Sequence, residues 1–367
     1  MNILIKPASG ACNMRCRYCF YNDEMAHRST AIMGMMTTDT LEVLVSRVVE
    51  SAQKQCVFMF QGGEPTLVGK DFYRALSRLV GQYNKRGIRV GYAIQTNGFA
   101  IDEEWAELFA QMHFLVGLSL DGGRELHDTN RRTPSGRGTF DAVMNAARLF
   151  DRFGVEYNIL TVVTGATARG ALSLHNFFDA HGFRYRQYIP CLDPLGQSGA
   201  AALTDSQYAT FLCRTFDAWY SDIVRGKYVY NRTFENYMAI MLGRQPESCG
   251  MAGVCSPQYV VEADGSVYPC DFYVLDEYRL GSILTDSFED MDARRHELGF
   301  IERSAVLHPD CRECRYFQLC RGGCYRERIE ISPEMPPKNR FCGAYLKFFD
   351  YAADRLWDAA RRITSWR

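Results

Sequence analysis

The chain has 367 residues, 47% of them hydrophobic, which is enough for one large domain and a smaller one and excludes a disordered chain. Lysine and arginine number 42 against 43 acidic residues, so a formal net charge of −1 offers no basic field to a nucleic-acid backbone. No apolar run approaches the ~20 residues of a membrane helix, and the N-terminal residues predict a strand rather than an export signal. We therefore expect a cytoplasmic protein that binds neither nucleic acid nor membrane.

Apolar runs alternate with amphipathic stretches through the first half of the chain. The runs predict six buried strands: Ile3–Lys6, Val57–Gln61, Val90–Gln95, Phe114–Leu120, Tyr157–Val163 and Tyr185–Ile189. The stretches between them predict helices: Leu41–Ser51, Phe72–Tyr83, Glu103–Gln111, Phe140–Phe153 and Leu172–His181. Six β/α units in series imply an α/β fold, a partial (β/α)6 barrel of parallel strands with right-handed crossovers. Its active site should lie beyond the carboxyl ends of the strands.

The later part of the chain changes character. Residues 205–243 read as helical, and Gln258–Cys270 reads as a hairpin with its turn at Asp264-Gly265. Cysteine-rich loops follow, and a final helix is predicted at Tyr345–Ile363. We therefore expect three parts: a barrel over residues 1–235, a cysteine-rich domain over 236–345 and a C-terminal helical segment over 346–367.

Cysteine is frequent, with 14 residues in the chain. Because no export signal supports disulfides, cysteines clustered at short spacings favour metal binding. Cys56, Cys191 and Cys213 stand alone and are expected to be small buried apolar side chains. The remaining cysteines fall into spaced groups.

Cys12, Cys16 and Cys19 form a C-x3-C-x2-C loop directly after the first predicted strand. A [4Fe–4S] cluster has four irons, so three thiolates leave one iron open for a chelating small molecule. Tyr18, beside the last cysteine, could exclude water and support that cofactor. The alternative is a zinc loop that lacks its fourth ligand.

Three further motifs stand at strand ends. Gln61-Gly62-Gly63-Glu64-Pro65 follows the second strand, Gln95-Thr96-Asn97-Gly98 ends the third, and Ser119-Leu120-Asp121-Gly122 ends the fourth. Together with the cysteine loop they resemble the radical S-adenosylmethionine superfamily. The resemblance implies that Gly62, Gly63 and Glu64 bind the methionine amino group of S-adenosylmethionine. It also implies that Ser119 contacts this cofactor and that Arg131 binds its carboxylate.

A second cysteine field comprises Cys249, Cys255, Cys270, Cys311, Cys314, Cys320, Cys324 and Cys342. Its thiolates suffice for two fully ligated [4Fe–4S] clusters, which favours electron transfer over substrate binding, while two zinc sites of four cysteines are the alternative. The spacing resembles the SPASM domain. That resemblance implies an inner auxiliary cluster on Cys249, Cys255, Cys270 and Cys324, and an outer one on Cys311, Cys314, Cys320 and Cys342.

Over essentially the whole chain, the sequence resembles the anaerobic sulfatase-maturating enzymes, through Cys12–Tyr21, Phe60–Thr66, Ser248–Cys255 and Asp264–Leu280. The resemblance implies three [4Fe–4S] clusters and S-adenosylmethionine. It implies oxidation of a cysteine or serine in a sulfatase polypeptide to Cα-formylglycine (3-oxoalanine), begun by hydrogen abstraction from Cβ. The implied partners are a sulfatase with a Cys/Ser-x-Pro/Ala-x-Arg motif and an electron donor such as flavodoxin or ferredoxin.

Asp271 is the candidate base that takes the substrate proton, because it directly follows the expected cluster ligand Cys270. Tyr21 and Gln61 are expected to orient this carboxylate or the substrate residue. The alternative for Asp271 is a turn cap, and for the other two a satisfied polar group of the core.

Two other functions fit parts of the pattern. A peptide maturase that forms thioether or carbon–carbon crosslinks would share the clusters, but many such enzymes carry an N-terminal recognition domain, for which the position of Cys12 leaves no room. A non-catalytic iron–sulfur electron carrier would have no need of the strand-end motifs. The sequence does not decide between cysteine and serine as the substrate residue.

Overall fold

The computed structural model describes residues 1–197 and 203–365. The chain divides into two compact units that alternate along the sequence. Within the described residues, the first unit comprises Met1–Leu120, His127–Asn158 and Pro257–Gly299, and the second falls within Asp121–Leu126, Ile159–Ser256 and Phe300–Arg367. The last two positions of the predicted segment 346–367 lie outside the described residues, and the three-part division at residues 235 and 345 stays a prediction.

The strands in the described ranges are β1 (Asn2–Lys6), β2 (Gln55–Phe60), β3 (Arg89–Thr96), β4 (Phe114–Ser119), β5 (Glu156–Val163), β6 (Tyr185–Pro190), β7 (Tyr230–Asn231), β8 (Val260–Glu262), β9 (Ser266–Tyr268), β10 (Gly281–Ser282), β11 (Arg328–Ile329) and β12 (Lys338–Asn339).

The α-helices are α1 (Phe20–Ala26), α2 (Thr38–Ser51), α3 (Lys70–Tyr83), α4 (Glu103–Gln111), α5 (Arg124–Asn130), α6 (Phe140–Phe153), α7 (Gly165–Arg169), α8 (Ala171–Ala180), α9 (Asp205–Val224), α10 (Arg232–Met241), α11 (Phe288–Glu297), α12 (Phe300–Ala305), α13 (Pro309–Arg312), α14 (Phe317–Cys320) and α15 (Cys342–Ser365). Each of β1 to β6 is followed by helix, so the six predicted β/α units are confirmed.

The first unit contains a sheet of order β10-β9-β8-β1-β2-β3-β4, in which β1 to β4 are parallel. Alternate side chains of β1 and β2, such as Ile3, Ile5, Phe58 and Phe60, are at most 1% exposed, because helices cover the sheet. The side chain of Thr37 caps α2 by accepting a hydrogen bond from the Thr40 amide.

The predicted hairpin is confirmed as the antiparallel pair β8–β9, with Gly265 at its turn in a left-handed conformation (φ 87°). Unlike an isolated hairpin, it joins the main sheet. β8 runs parallel to β1, with Glu262 opposite Lys6. The turn between β8 and β9 therefore lies beside the carboxyl end of β1.

In the second unit, β5 pairs with β6 and β6 pairs with β7, all parallel, over residues from Ile159 onward. The long helices α9 and α15 pack together. Their shared core is aromatic, with Phe216 lying 5.7 Å from Trp219 and 5.7 Å from Phe348 between ring centroids. No helix in the described part of the chain is long and apolar enough to cross a membrane.

Candidate active site

The loop of Cys12, Cys16 and Cys19 lies between β1 and α1. It is held by backbone hydrogen bonds to the end of α5 and the residues that follow: the amide of Arg17 donates to the carbonyl of Asn130 (3.1 Å), and the amide of Arg15 donates to the carbonyl of Arg132 (2.7 Å). Within the loop, the amide of Cys19 donates to the carbonyl of Cys16 (3.3 Å). The loop thus has a defined path before any cofactor is considered.

Gly63 allows the loop after β2 to lie directly on the cysteine loop. Its amide donates to the carbonyl of Ser9 (2.8 Å), and the next amide, of Glu64, donates to the carbonyl of Ala11 (2.8 Å). A Cβ atom at Gly63 would stand 2.0 Å from the Ala11 carbonyl oxygen, and Gly62 has a φ of 116°. Glycine is required here for close backbone approach and for an unusual φ angle.

Glu64 joins the ends of two strands. Its carboxylate is buried and accepts hydrogen bonds from the hydroxyl (2.7 Å) and amide (3.1 Å) of Thr66 and from the Thr96 hydroxyl (2.8 Å). Its other oxygen accepts from the amide of Asn97 (2.8 Å). Burial raises the pKa of Glu64, and these hydrogen bonds oppose the rise. Glu64 therefore shapes the site, and its contact with S-adenosylmethionine stays a prediction.

The three thiols of the loop are close enough to affect one another. Burial raises the pKa of Cys12 to about 12, the Met14 amide opposes the rise, and charge on Cys16 and Cys19 adds to it. Thiolates gathered in this way need cations to balance them, as the irons of a cluster do. The donor set therefore fits an iron–sulfur cluster. In addition, the side-chain amide of Asn97 donates to the Cys12 sulfur (3.6 Å).

Three of the predicted cofactor contacts surround this loop or end a neighbouring strand. Tyr18 is half-buried, and the Arg131 guanidinium carbon lies 5.4 Å from the centre of its ring. The positive charge of Arg131 also acts on Cys19. Ser119 is half-buried and is the last residue of β4. Their contacts with S-adenosylmethionine remain predictions.

Asp271, Tyr21 and Gln61 meet in one hydrogen-bonded group, called the Asp271 triad below. The Tyr21 hydroxyl donates to Oδ2 of Asp271 (2.8 Å), and the amide nitrogen of Gln61 donates to the same oxygen and approaches the Tyr21 oxygen (3.1 Å). Oδ1 of Asp271 is buried and has no hydrogen-bond partner among the described residues. One oxygen is thus fully engaged, while the other is available.

Burial controls the protonation of the triad. It raises the pKa of Asp271, although the Lys6 ammonium and the hydrogen bonds from Tyr21 and Gln61 oppose the rise. Burial and the nearby Asp271 carboxylate raise the pKa of Tyr21 well above its ordinary value. The Tyr21 hydroxyl therefore keeps its proton and acts as the donor.

A buried ion cluster that the sequence analysis missed borders the triad. The Lys6 ammonium lies 3.2 Å from Glu24 and 3.4 Å from Glu262, and Arg28 lies 2.7 Å from Glu262. Burial raises the pKa of Glu24 to about 8 against the effect of Lys6, whereas Lys6 and Arg28 hold the pKa of Glu262 below its usual value despite burial. The sequence feature that could have revealed this cluster is Lys6, a lysine at the end of the otherwise apolar predicted strand Ile3–Lys6.

The four cysteines predicted for the outer auxiliary cluster line one cavity of the second unit. The cavity has a volume of about 210 Å³ and is lined by Cys311, Cys314, Cys320 and Cys342. Aromatic side chains, including Tyr345 and Phe349, complete its wall. Four thiols around a largely apolar space fit a fully ligated iron–sulfur cluster.

Three of the cysteines predicted for the inner cluster also lie together in the second unit. Burial raises the pKa of Cys324 to about 12, and charge on Cys249 and Cys255 contributes to the rise. Gly250 permits the approach, because a Cβ atom there would stand 3.2 Å from that of Cys324. The fourth predicted ligand, Cys270, belongs to the first unit, where it immediately precedes Asp271.

Comparison with known proteins agrees with this chemistry. Residues 7–177 match the family model of the radical SAM superfamily, and residues 249–315 match the SPASM model, described as an iron–sulfur cluster-binding domain. The predicted fold class and the predicted cofactors, iron–sulfur clusters and S-adenosylmethionine, are therefore confirmed.

Individual relatives extend over the whole chain. A cysteine-type anaerobic sulfatase-maturating enzyme of Clostridium novyi is 43% identical over 99% of this chain and 98% of its own. A serine-type enzyme of Bacteroides thetaiotaomicron is 31% identical over 96% of this chain and 89% of its own. The solved structure of native anSMEcpe with bound AdoMet and Kp18Cys peptide has a TM-score of 0.92 at 42% identity, covering 98% of this chain and 99% of that one. The chain therefore belongs to the anaerobic sulfatase-maturating enzymes of the radical S-adenosylmethionine superfamily.

Proposed function

We propose that this protein oxidises a cysteine side chain of a sulfatase polypeptide to Cα-formylglycine. A cysteine-type relative shares 43% of its residues with this chain, and a serine-type relative shares 31%. The similar solved structure carries AdoMet and a peptide. Cysteine is accordingly the proposed main substrate residue, with serine as a poorer one.

The observation that carries the proposal is the free oxygen of the Asp271 triad. Oδ1 of Asp271 is buried and without a partner among the described residues, whereas Oδ2 accepts from Tyr21 and Gln61. A buried carboxylate oxygen normally has a hydrogen-bond partner, so an available one is suited to a substrate thiol or hydroxyl. A turn cap would have placed it against a backbone amide.

Asp271 would act as the base, and its two neighbours would fix its direction. With Oδ2 held by the Tyr21 hydroxyl and the Gln61 amide, Oδ1 is left to receive the thiol proton. When bound, the clusters and S-adenosylmethionine supply the radical that removes one hydrogen atom from Cβ and the acceptor of the second electron. Loss of that hydrogen atom, the thiol proton and one electron leaves a thioaldehyde, and water converts it to the aldehyde with release of hydrogen sulfide.

The residues proposed to hold the cofactors are those that the resemblance implies. Cys12, Cys16 and Cys19 would bind the first cluster, and Tyr18, Gly62, Gly63, Glu64, Ser119 and Arg131 would surround S-adenosylmethionine. The inner auxiliary cluster would use Cys249, Cys255, Cys270 and Cys324, and the outer one Cys311, Cys314, Cys320 and Cys342. We also keep the proposed barrel (1–235), SPASM domain (236–345) and C-terminal segment (346–367) as the domain boundaries.

The finer identity of the partners is part of this proposal. The peptide would carry Cys-x-Pro/Ala-x-Arg, and electrons would come from a flavodoxin or ferredoxin. A cytoplasmic location is part of the same proposal: all fourteen cysteines lie in the described residues, none of them forms a disulfide, and eleven are proposed cluster ligands, as suits a reducing compartment. The crosslinking peptide maturase is not favoured, because the relatives reported above are sulfatase-maturating enzymes over nearly their full length.

The decisive experiment is an anaerobic assay of the reconstituted protein with dithionite, S-adenosylmethionine and a short Cys-x-Pro-x-Arg peptide, read by mass spectrometry. The expected product has the mass of an aldehyde in place of the CH2–SH group, with 5′-deoxyadenosine formed alongside. A matched peptide with alanine in place of the cysteine is the control and should stay unchanged. If 5′-deoxyadenosine forms but the cysteine peptide keeps its mass, the proposed substrate is wrong.

A further inference from the structure

The ammonium group of Lys6 is buried at the carboxyl end of β1, next to the Asp271 triad. Lys6 is 1% exposed, and Glu262, its partner in the parallel register, is fully buried. The Lys6 nitrogen lies 3.2 Å from Glu24 and 3.4 Å from Glu262, and Arg28 holds Glu262 from another direction at 2.7 Å. We call Lys6, Glu24, Arg28 and Glu262 the buried ion cluster.

Stability alone does not account for such a cluster. Removing charged groups from water is costly, and replacing a buried ion pair with apolar side chains is often neutral or stabilising. Lys6 is the last residue of β1 and Glu262 is the last residue of β8. The residues that precede them, Ile5 and Val261, are buried and apolar. Apolar residues in place of the whole cluster would often serve the fold equally well, so the charges call for another reason.

The buried ion cluster contacts two of the three segments that carry the triad, and the residue before Lys6 contacts the third. The Lys6 nitrogen lies 4.7 Å from the centre of the Tyr21 ring, within the range of a cation–π contact. Glu24 accepts a hydrogen bond from the amide of Val274 (3.4 Å), which directly follows the short helix Asp271–Tyr273. The backbone amide of Gln61 donates to the carbonyl of Ile5, the residue before Lys6 (3.0 Å).

We propose that Lys6 is a positioning residue for the reaction: clamped by Glu24 and Glu262, its ammonium fixes the Tyr21 ring and the Asp271 helix so that Oδ1 of Asp271 faces the substrate proton. This inference rests on the proposed function. Tyr21 and Gln61 hold Oδ2 directly, and Lys6 acts through Tyr21 and through Glu24. Without the ammonium, the three residues of the triad would still be present, but the orientation of the Asp271 carboxylate would no longer be fixed.

The test compares Lys6→Met with Lys70→Met. Methionine keeps the length of the side chain and removes its charge. Lys70 is a matched control because it also touches two carboxylates, Asp102 (2.7 Å) and Glu104 (2.6 Å), and an aromatic ring, that of Trp105 (5.7 Å), away from the triad. Both variants are reconstituted with iron and checked for S-adenosylmethionine cleavage in the absence of peptide.

Two readouts separate positioning from a general structural role. In Lys6→Met we expect the ratio of 5′-deoxyadenosine formed to peptide oxidised to rise by about ten- to hundred-fold, because misplacing a catalytic group costs the step it serves. In the same variant without peptide, amide hydrogen exchange should accelerate by about ten-fold or more in residues 20–26 and 271–274 and stay unchanged in α3 and α4. Lys70→Met should resemble the unmodified protein in both readouts.

An unchanged ratio together with unchanged exchange in Lys6→Met would overturn the proposal. If Lys6→Met does not retain iron, Glu262→Gln is measured instead, since it removes one of the two carboxylates that clamp Lys6. In that variant, a raised ratio of 5′-deoxyadenosine formed to peptide oxidised supports the proposal, and an unchanged ratio contradicts it. If the unmodified protein cleaves S-adenosylmethionine without oxidising the cysteine peptide, the proposed function fails. The exchange comparison, which needs no substrate, would then still decide whether Lys6 orders the triad.

Discussion

At Asp271, the two oxygens of one carboxylate have different surroundings. Oδ2 accepts hydrogen bonds from Tyr21 and Gln61, and Oδ1 is buried without a partner in the described part of the chain. The sequence placed Asp271 after a cysteine but could not distinguish a base from a turn cap. The asymmetry between the oxygens favours the base, because a cap would engage a backbone amide.

Replacing Asp271 with asparagine should separate radical formation from peptide oxidation. An amide can still accept hydrogen bonds from Tyr21 and Gln61 but cannot take up a proton, so we expect peptide oxidation to fall by about 10²- to 10⁴-fold while S-adenosylmethionine cleavage persists. The measurement is product and 5′-deoxyadenosine in the same anaerobic reaction. Asp276→Asn is the control, because Asp276 accepts from the Ser29 amide (2.7 Å) and lies outside the triad. Undiminished oxidation in Asp271→Asn would rule out its role as the base.

Glu64→Gln should be destabilising. Its two oxygens accept four hydrogen bonds, from Thr66, Thr96 and Asn97, and an amide nitrogen in place of one oxygen would face donors. We expect the free energy of unfolding to fall by about 2–4 kcal/mol, measured by urea denaturation of the apo-protein. Glu104→Gln, on the surface, should leave the denaturation midpoint nearly unchanged. Equal midpoints for the two variants would mean that the hydrogen bonds to Glu64 do not support the fold.

At the scale of elements, the long periodic segments followed the sequence closely. The helices predicted at Glu103–Gln111 and Phe140–Phe153 have those bounds in the structure. In contrast, α1 was missed, because its seven residues, Phe20–Ala26, are too few and too polar to show a helical period. Its place depends on Lys6 and on Val274, far away in the chain.

Gly63→Ala should disturb the contact between the loops after β1 and β2. The added Cβ atom would stand 2.0 Å from the Ala11 carbonyl oxygen, so the cysteine loop would have to move. We expect lower occupancy of the first cluster and at least ten-fold slower S-adenosylmethionine cleavage, since a small displacement at a site is costly. Iron analysis and 5′-deoxyadenosine formation measure the two effects.

The control for that change is Gly81→Ala. Gly81 lies within α3, and a Cβ atom there would meet no atom within 4 Å. Because alanine favours helix, we expect this variant to be stabilised by up to about 1 kcal/mol and to keep its activity. If Gly63→Ala behaved in the same way, close backbone approach would not be the reason for the glycine.

At the scale of the whole molecule, the cysteines predicted to bind clusters and the isolated cysteines lie in different environments. Cys311, Cys314, Cys320 and Cys342 line one cavity, whereas Cys56 and Cys191 are buried singly and Cys213 is half-buried in α9. The sequence predicted this division from spacing, but it also predicted that Cys213 is buried, whereas its side chain is half-buried. Which thiols meet, however, depends on chain segments brought together by the fold.

Cys342→Ala should damage one auxiliary cluster and leave the others. The three remaining thiols would leave one iron of that cluster without a protein ligand, so we expect the reconstituted protein to lose that iron or the whole cluster, which is up to about a third of its iron. Iron content per chain and the visible absorption of the clusters are the measurements. Cys213→Ala, which changes a cysteine outside the predicted groups, should retain all the iron. A full iron content together with an unchanged cluster absorption in Cys342→Ala would exclude Cys342 as a ligand.

The sequence by itself determined the periodic elements, the cysteine loops and the family, because each of these is written in local spacing: period 2 or 3.6 for elements, and fixed intervals for ligands. The tertiary structure alone decided the contacts across long separations. Tyr21 and Asp271 are 250 residues apart, and Lys6 meets Glu262 only because β8 inserts beside β1. Such pairs carry no local signature, since the energy that brings them together comes from burying apolar sheet and helix faces elsewhere in the unit.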